Sequence, residues 1–157
     1  MRIRPRLVLP ALLFLLLGIA ACGPLGPIPG GALRGPVHEG PLPAWSTVAD
    51  VEQIQLETRP DDPHSVNTWC GVHAGRLYVP TSLIRGADDP MDRAWVRNVL
   101  EDPRVRARID GVVYPLLAVR VEDAQELAAA RVTLLRKYDV EPDDHVSQGW
   151  IFRLDPR

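Results

Sequence analysis

The sequence predicts a mainly β, α+β fold in which six antiparallel strands and two helices form one barrel or sheet. Three observations carry this. Between Gln53 and Leu154 the apolar residues mostly recur with period two, the spacing of half-buried strands. The strands are joined by short turns, of which Asp110-Gly111 is the strongest hairpin signal. Helical patterns occur only twice, without the strand–helix–strand alternation of a parallel sheet.

In chain order, Ile54, Leu56 and Thr58 share one face of a strand from Gln53 to Thr58. Val66, Thr68, Cys70 and Val72 alternate along a second, His73-Ala-Gly75 reverses the chain, and Arg76 to Val79 returns as a third. Asp89-Pro90 starts a helix that runs to about Leu100, where Asp102-Pro103 stops it. From Arg104 to Asp110 the alternation is strict, with Val105, Ala107 and Ile109 inward and three arginines outward. Val112 to Val121 is its partner, and Pro115 requires an edge or a bulge there. A helix from Glu122 to Tyr138 carries Ala124, Leu127, Ala128, Leu134, Leu135 and Tyr138 on its apolar side. Val146 to Leu154 completes the strands.

The N-terminus has a different character. Three arginines precede an apolar run from Leu7 to Ala21, the layout of a secretory leader and shorter than the ~20 residues of a membrane-spanning helix. Ile19-Ala-Ala-Cys22 resembles the lipobox of bacterial lipoproteins, which implies cleavage before Cys22 and its acylation. Residues 23–43 hold six glycines and six prolines and read as a spacer that holds the domain off the membrane. The expected organisation is a signal peptide over 1–21, a lipidated Cys22 and tether over 22–43, and a domain over 44–157. The expected location is the cell envelope, at the periplasmic side of the outer membrane in a host with two membranes.

The chain carries 18 cationic and 20 acidic side chains, a net charge of −2. Removing Arg2, Arg4 and Arg6 with the leader leaves 15 against 20, or −5, which argues against a general nucleic-acid partner. His38, His64, His73 and His145 have no metal-ligand spacing, and there is no phosphate-binding loop or nucleophile elbow. Lipidation would consume Cys22 and leave Cys70 unpaired, on the apolar side of its strand, as a small buried hydrophobe.

The order Asn67-Thr-Trp-Cys-Gly71, Gly75-Arg-Leu-Tyr-Val-Pro-Thr-Ser82, Trp95-Val-Arg-Asn98, Asp102-Pro-Arg-Val105 and Asp110-Gly111 resembles the pyridoxamine-phosphate-oxidase-like flavoproteins. The deazaflavin-dependent nitroreductase-like branch is the nearest in pattern. The resemblance implies a split β-barrel, a homodimer, and FMN or a deazaflavin held by Thr81, Ser82, Arg85, Trp95 and Asn98. FMN-binding relatives often carry a phosphate-pairing lysine where this chain has Trp95, so Arg85, Arg93 or Arg97 would have to supply the charge. Asp88, Asp89 and Asp92 would repel a phosphate in the same neighbourhood. By its helix position Trp95 also reads as a core residue. Two functions are therefore expected: a membrane-tethered flavin reductase, or a non-catalytic ligand-binding or dimerising envelope module that has lost the cofactor.

Overall fold

A computed structural model describes residues 23–81, 87–142 and 149–157. The strands are β1 (Gln53–Thr58), β2 (His64–Trp69), β3 (Gly71–His73), β4 (Arg76–Pro80), β5 (Arg104–Ile109), β6 (Val112–Arg120) and β7 (Ile151–Pro156). The helices are α1 (Ala94–Glu101) and α2 (Ala124–Tyr138), with 3-10 turns at Trp45–Val48 and Pro90–Asp92. All strands lie in one antiparallel sheet of order β2-β1-β5-β6-β7-β4-β3.

Seven strands stand where six were expected. The strand predicted across Val66 to Val72 is broken at Cys70 into β2, which pairs with β1, and β3, which pairs with β4. These halves are the two opposite edges of the sheet, so the sheet curls until its ends are one residue apart. Among the described residues no ladder joins them, and the barrel is split rather than closed. Alternation of faces continues through such a bend while hydrogen-bond partners change, so period two cannot reveal it.

The end of α2 holds the bend. Cys70 N–H donates to Tyr138 Oη at 2.8 Å, and Lys137 Nζ donates to the carbonyls of Val51 (2.5 Å) and Cys70 (2.9 Å). Trp69 stacks on Tyr138 with ring centroids 4.3 Å apart. A Cβ on Gly71 would lie 2.9 Å from Leu134 Cδ2, so a larger residue there would require the Leu134 side chain to shift. Burial pushes the Cys70 thiol up, despite Lys137 beside it, as suits a packed hydrophobe.

Ile54, Leu56, Val105, Ala107, Leu116, Phe152 and Leu154 form the core with Trp95, Val96 and Val99 of α1. Pro115 pairs with Arg106 on a stretch of β6 that β7 does not reach, the edge position it requires. The first helix is shorter than predicted. Asp89 and Asp92 close a capping box around the Pro90–Asp92 turn, Arg93 is extended, and the α-helix begins only at Ala94. Helix α2 is capped by Asp123, whose carboxylate accepts from Glu126 N–H at 2.8 Å, and ends at Asp139 with φ 51°. Of its expected apolar side, Leu134 is buried while Ala124 and Ala128 are exposed; Ala130, outside that expectation, is buried as well. The last strand begins at Ile151 rather than Val146; residues 143–148 lie outside the described set.

The glycine- and proline-rich segment, expected to stand off as a spacer, lies along the sheet. It joins the free edge of β2, where Gly30 and Ser65 exchange two backbone hydrogen bonds of 2.8 Å. It then crosses the outer face of β1 and β5. Glu57, only 1% exposed, faces Arg106 across those strands and receives its Nε and Nη2 at 2.6 and 2.5 Å. Together the pair grips Leu33: its N–H donates to Glu57 Oε2 at 2.5 Å and its carbonyl accepts from Arg106 Nη2 at 3.3 Å. Gly35 follows with φ 148°, and a Cβ there would meet the Gly111 carbonyl oxygen at 2.4 Å. The segment ends on the free edge of β6, with Val113 N–H donating to Pro36 and His38 N–H donating to Val113.

Two consequences can be measured. Arg106→Leu strands the buried Glu57 carboxylate and should cost about 3–5 kcal/mol in urea unfolding. Adding Glu57→Leu should restore only part of this, because Leu33 N–H then loses its acceptor, at about 1–3 kcal/mol. Hydrogen bonds from Arg153 hold the Glu126 carboxyl below its usual range, so its stabilising contribution is present above about pH 4.3 and is lost as pH falls through the lower folded value. Glu126→Gln should therefore flatten the loss of urea midpoint between neutral and acid pH.

Candidate functional site

A cleft of about 1020 Å³ lies where the sheet fails to close. One wall is the inner face and free edge of β2, with His64, Val66, Thr68 and Trp69. The other is built by the end of β4 (Pro80, Thr81), the start of α1 (Ala94, Trp95), α2 (Arg131, Leu134, Leu135) and the approach to β7 (Gly149, Trp150). The rim beside β2 is formed by Gly26, Pro27, Ile28 and Pro29. The cleft follows from the bend at Cys70, because β2 and β4 diverge from that point and leave a gap between them.

Its character is aromatic and apolar with few charges. Trp69 gives one ring face to Tyr138, and Trp150 gives one to the Arg120 guanidinium, 3.7 Å from the ring centroid. Both tryptophans are half-buried, so part of each ring remains available to the cleft. Trp95 is 6% exposed and packs edge-on against Phe152, at 5.5 Å between centroids. The charged lining residues are Asp92, Arg93 and Arg131, the last donating to the Gly149 carbonyl at 3.0 Å. Burial, and then the Arg59 charge, lower the pKa of His64, which favours the neutral ring at pH 7.

The sequence-derived residues separate into three groups. Thr81 and Trp95 meet at the cleft. Thr81 is bound to the residue that precedes β7: its N–H donates to the Trp150 carbonyl at 2.8 Å, and its Oγ1 accepts from Trp150 N–H at 2.7 Å. Asn98 is turned inward, where its amide donates to Thr58 Oγ1 at 2.9 Å, and it makes no part of the cleft lining. Its buried amide is a strut between α1 and β1. Ser82, Arg85 and Cys22 lie outside the described residues. Arg97 is exposed and bonded to the Met91 carbonyl. The three arginines of β5, expected on a solvated outer face, all have partners: Arg104 with Asp102 and Asp61, Arg106 with Glu57, Arg108 with Gln55.

The expected anion site at the start of the first helix is already satisfied from within. Asp92 Oδ2 accepts from the N–H groups of Asp88 and Asp89, each at 3.0 Å, and Asp89 Oδ1 accepts from Met91 N–H at 2.7 Å. The same backbone donors hold the Asp92 carboxyl below its ordinary range. These three backbone donors are thus spent on carboxylates, and the described cleft residues fit a planar ring better than a phosphate.

Sequence reasoning missed Trp69, Trp150, Arg131 and the Gly26–Pro29 rim as cleft residues. The one signal for Trp69 was its place on the polar side of its alternation; for the rim there was none.

Two solved structures share this architecture at a TM-score of 0.50 or above. A conserved hypothetical protein of Mycobacterium tuberculosis aligns with TM-score 0.51 and 21% identity over 74% of this chain and 82% of its own. A Listeria innocua protein described as a candidate pyridoxamine 5′-phosphate oxidase aligns with TM-score 0.50 and 17% identity over 71% and 89%. An F420 reductase gives TM-score 0.49 and 21% identity over 75% and 96%. No family profile and no curated protein sequence matches the chain. What the first two share with this chain is the split-barrel fold.

Thr81 is expected to act as a strut at the cleft rather than as a free donor. Thr81→Val leaves Trp150 N–H without its acceptor and should cost about 1–3 kcal/mol of unfolding free energy, measured by urea titration with tryptophan emission.

Proposed function

We propose that this protein is a membrane-anchored ligand-binding module whose cleft takes a planar heteroaromatic molecule of the flavin or deazaflavin class. The observation that carries this reading is the aromatic cleft at the split of the barrel, walled by Trp69, Trp95 and Trp150, with Arg93 and Arg131 in its lining. Its size suits a drug- or cofactor-sized molecule, since such sites span ~300–1,000 Å³. An aromatic wall with few charges favours stacking over charge recognition.

The chain's own residues would bind and orient. Trp69 and Trp150 offer ring surface, Tyr138 and Arg120 hold those rings from behind, and the Thr81–Trp150 hydrogen bonds fix the wall. A bound flavin or deazaflavin would itself supply hydride chemistry, which gives the reductase reading its content. The self-satisfied Asp88–Asp92 turn favours the binding-module reading over one built around a flavin phosphate. Acylation of Cys22 supplies the anchor, as the leader and lipobox pattern suggest.

The test is titration of the full chain in detergent with lumiflavin, riboflavin, FMN and a deazaflavin, followed by absorbance and thermal unfolding. Ligand at 100 times its dissociation constant should stabilise the fold by ~2.7 kcal/mol. Riboflavin and FMN should bind alike, and Trp150→Ala should weaken binding roughly tenfold. The absence of a shift with every ring compound would sink the ligand class. Separately, Cys22→Ser should release the protein from washed membranes.

A further inference from the structure

The most exposed large apolar side chains among the described residues are neighbours. Leu25 and Ile28 are 71% and 62% exposed, ahead of Val132 at 52%. They flank a tight turn closed by two backbone hydrogen bonds of 3.0 Å between them, with Gly26 at φ 57°, the positive φ that the first centre of a type II′ hairpin turn takes. The turn is tied to the sheet on both sides of its tip. Asn67 Nδ2 donates to the Gly26 carbonyl at 2.9 Å, Gln55 Nε2 donates to the Pro24 carbonyl at 3.4 Å, and Gly30 is laddered to Ser65. Leu25 and Ile28 are therefore held outward by a fixed frame. From Gly23 to Leu33 no side chain is ionisable, so bringing this stretch to lipid headgroups carries no charge-desolvation cost. The turn begins three residues after Cys22, and Gly26 to Pro29 are also the rim of the cleft.

We propose that the Leu25–Ile28 turn is a membrane-seating tip, whose two apolar side chains enter the lipid–water interface beside Cys22 and set the rim of the cleft against the bilayer. The proposal rests on Cys22 being acylated. The occupant is a lipid surface because the chain continues from this tip through Cys22 into the predicted leader, so the anchor point and the apolar tip are within a few residues of each other. Only two residues, Gly23 and Pro24, separate the anchor from the tip, which brings the domain onto the membrane instead of holding it away.

The test uses the full acylated chain in vesicles of phosphatidylethanolamine and phosphatidylglycerol. Pro27→Cys is labelled with an environment-sensitive fluorophore, Cys70 being buried and out of reach. The label should shift to the blue on vesicles and lose at least half its emission when the lipids carry bromine on their acyl chains. Leu25→Asp with Ile28→Asp should abolish most of that quenching while the protein still sediments with the vesicles. A label that bromine leaves untouched in an anchored protein, as it would be if a second copy covered the tip, overturns the proposal. So does equal quenching in the double variant. Protein that does not stay on the vesicles overturns the anchor and the tip together. Ligand titration does not depend on this label, so a failed tip and a failed ligand class are told apart.

Discussion

A carboxylate that is 1% exposed has to be neutralised where it stands, and Glu57 meets this constraint with Arg106 directly across the β1–β5 ladder. The pair does more than cancel charge. Its remaining hydrogen-bonding capacity is spent on the N–H and carbonyl of Leu33, so a segment too rich in glycine and proline to make its own ladder becomes part of the fold. The same segment caps the free edge of β2 at Ser65 and that of β6 at Val113, two places where an open sheet would otherwise present unpaired backbone. The placement of Leu25 and Ile28, and the rim of the cleft, follow from that docking.

The second determinant is the bend at Cys70. By sending β2 and β3 to opposite edges, it makes a curled sheet whose ends meet in sequence but not in hydrogen bonds. The gap becomes the cleft, and α2 braces it through Lys137 and Tyr138 while lining it with Arg131, Leu134 and Leu135. Structure and candidate function thus share one cause. Groups that stabilise the bend, such as the Trp69–Tyr138 stack, also present the aromatic surface on which a planar ligand would rest.

Much of the candidate site could not be read along the chain because residue type does not fix direction. Asn98 was grouped with cofactor contacts, yet its amide is a buried strut to Thr58. Asp88, Asp89 and Asp92 were expected to repel a phosphate. They act more simply, by consuming the backbone donors a phosphate would need. Thr81 and Trp95 both line the cleft, because each sits at an element end that converges on it. Trp150 directly precedes β7, and the gap beside that strand leaves part of its ring uncovered.

What the sequence by itself determined is everything that depends on neighbours along the chain. The inward faces of β1 and β5, the Asp110-Gly111 hairpin, the edge position of Pro115 and the extent of α2 were legible because period, turn chemistry and capping are local. Tertiary structure alone decided where the second strand changes partners, which edges stay open and where the glycine- and proline-rich segment goes. Those depend on hydrogen bonds between residues far apart in sequence. Composition excludes a ladder within the segment, but it says nothing of the edges and the buried ion pair that other strands offer to it.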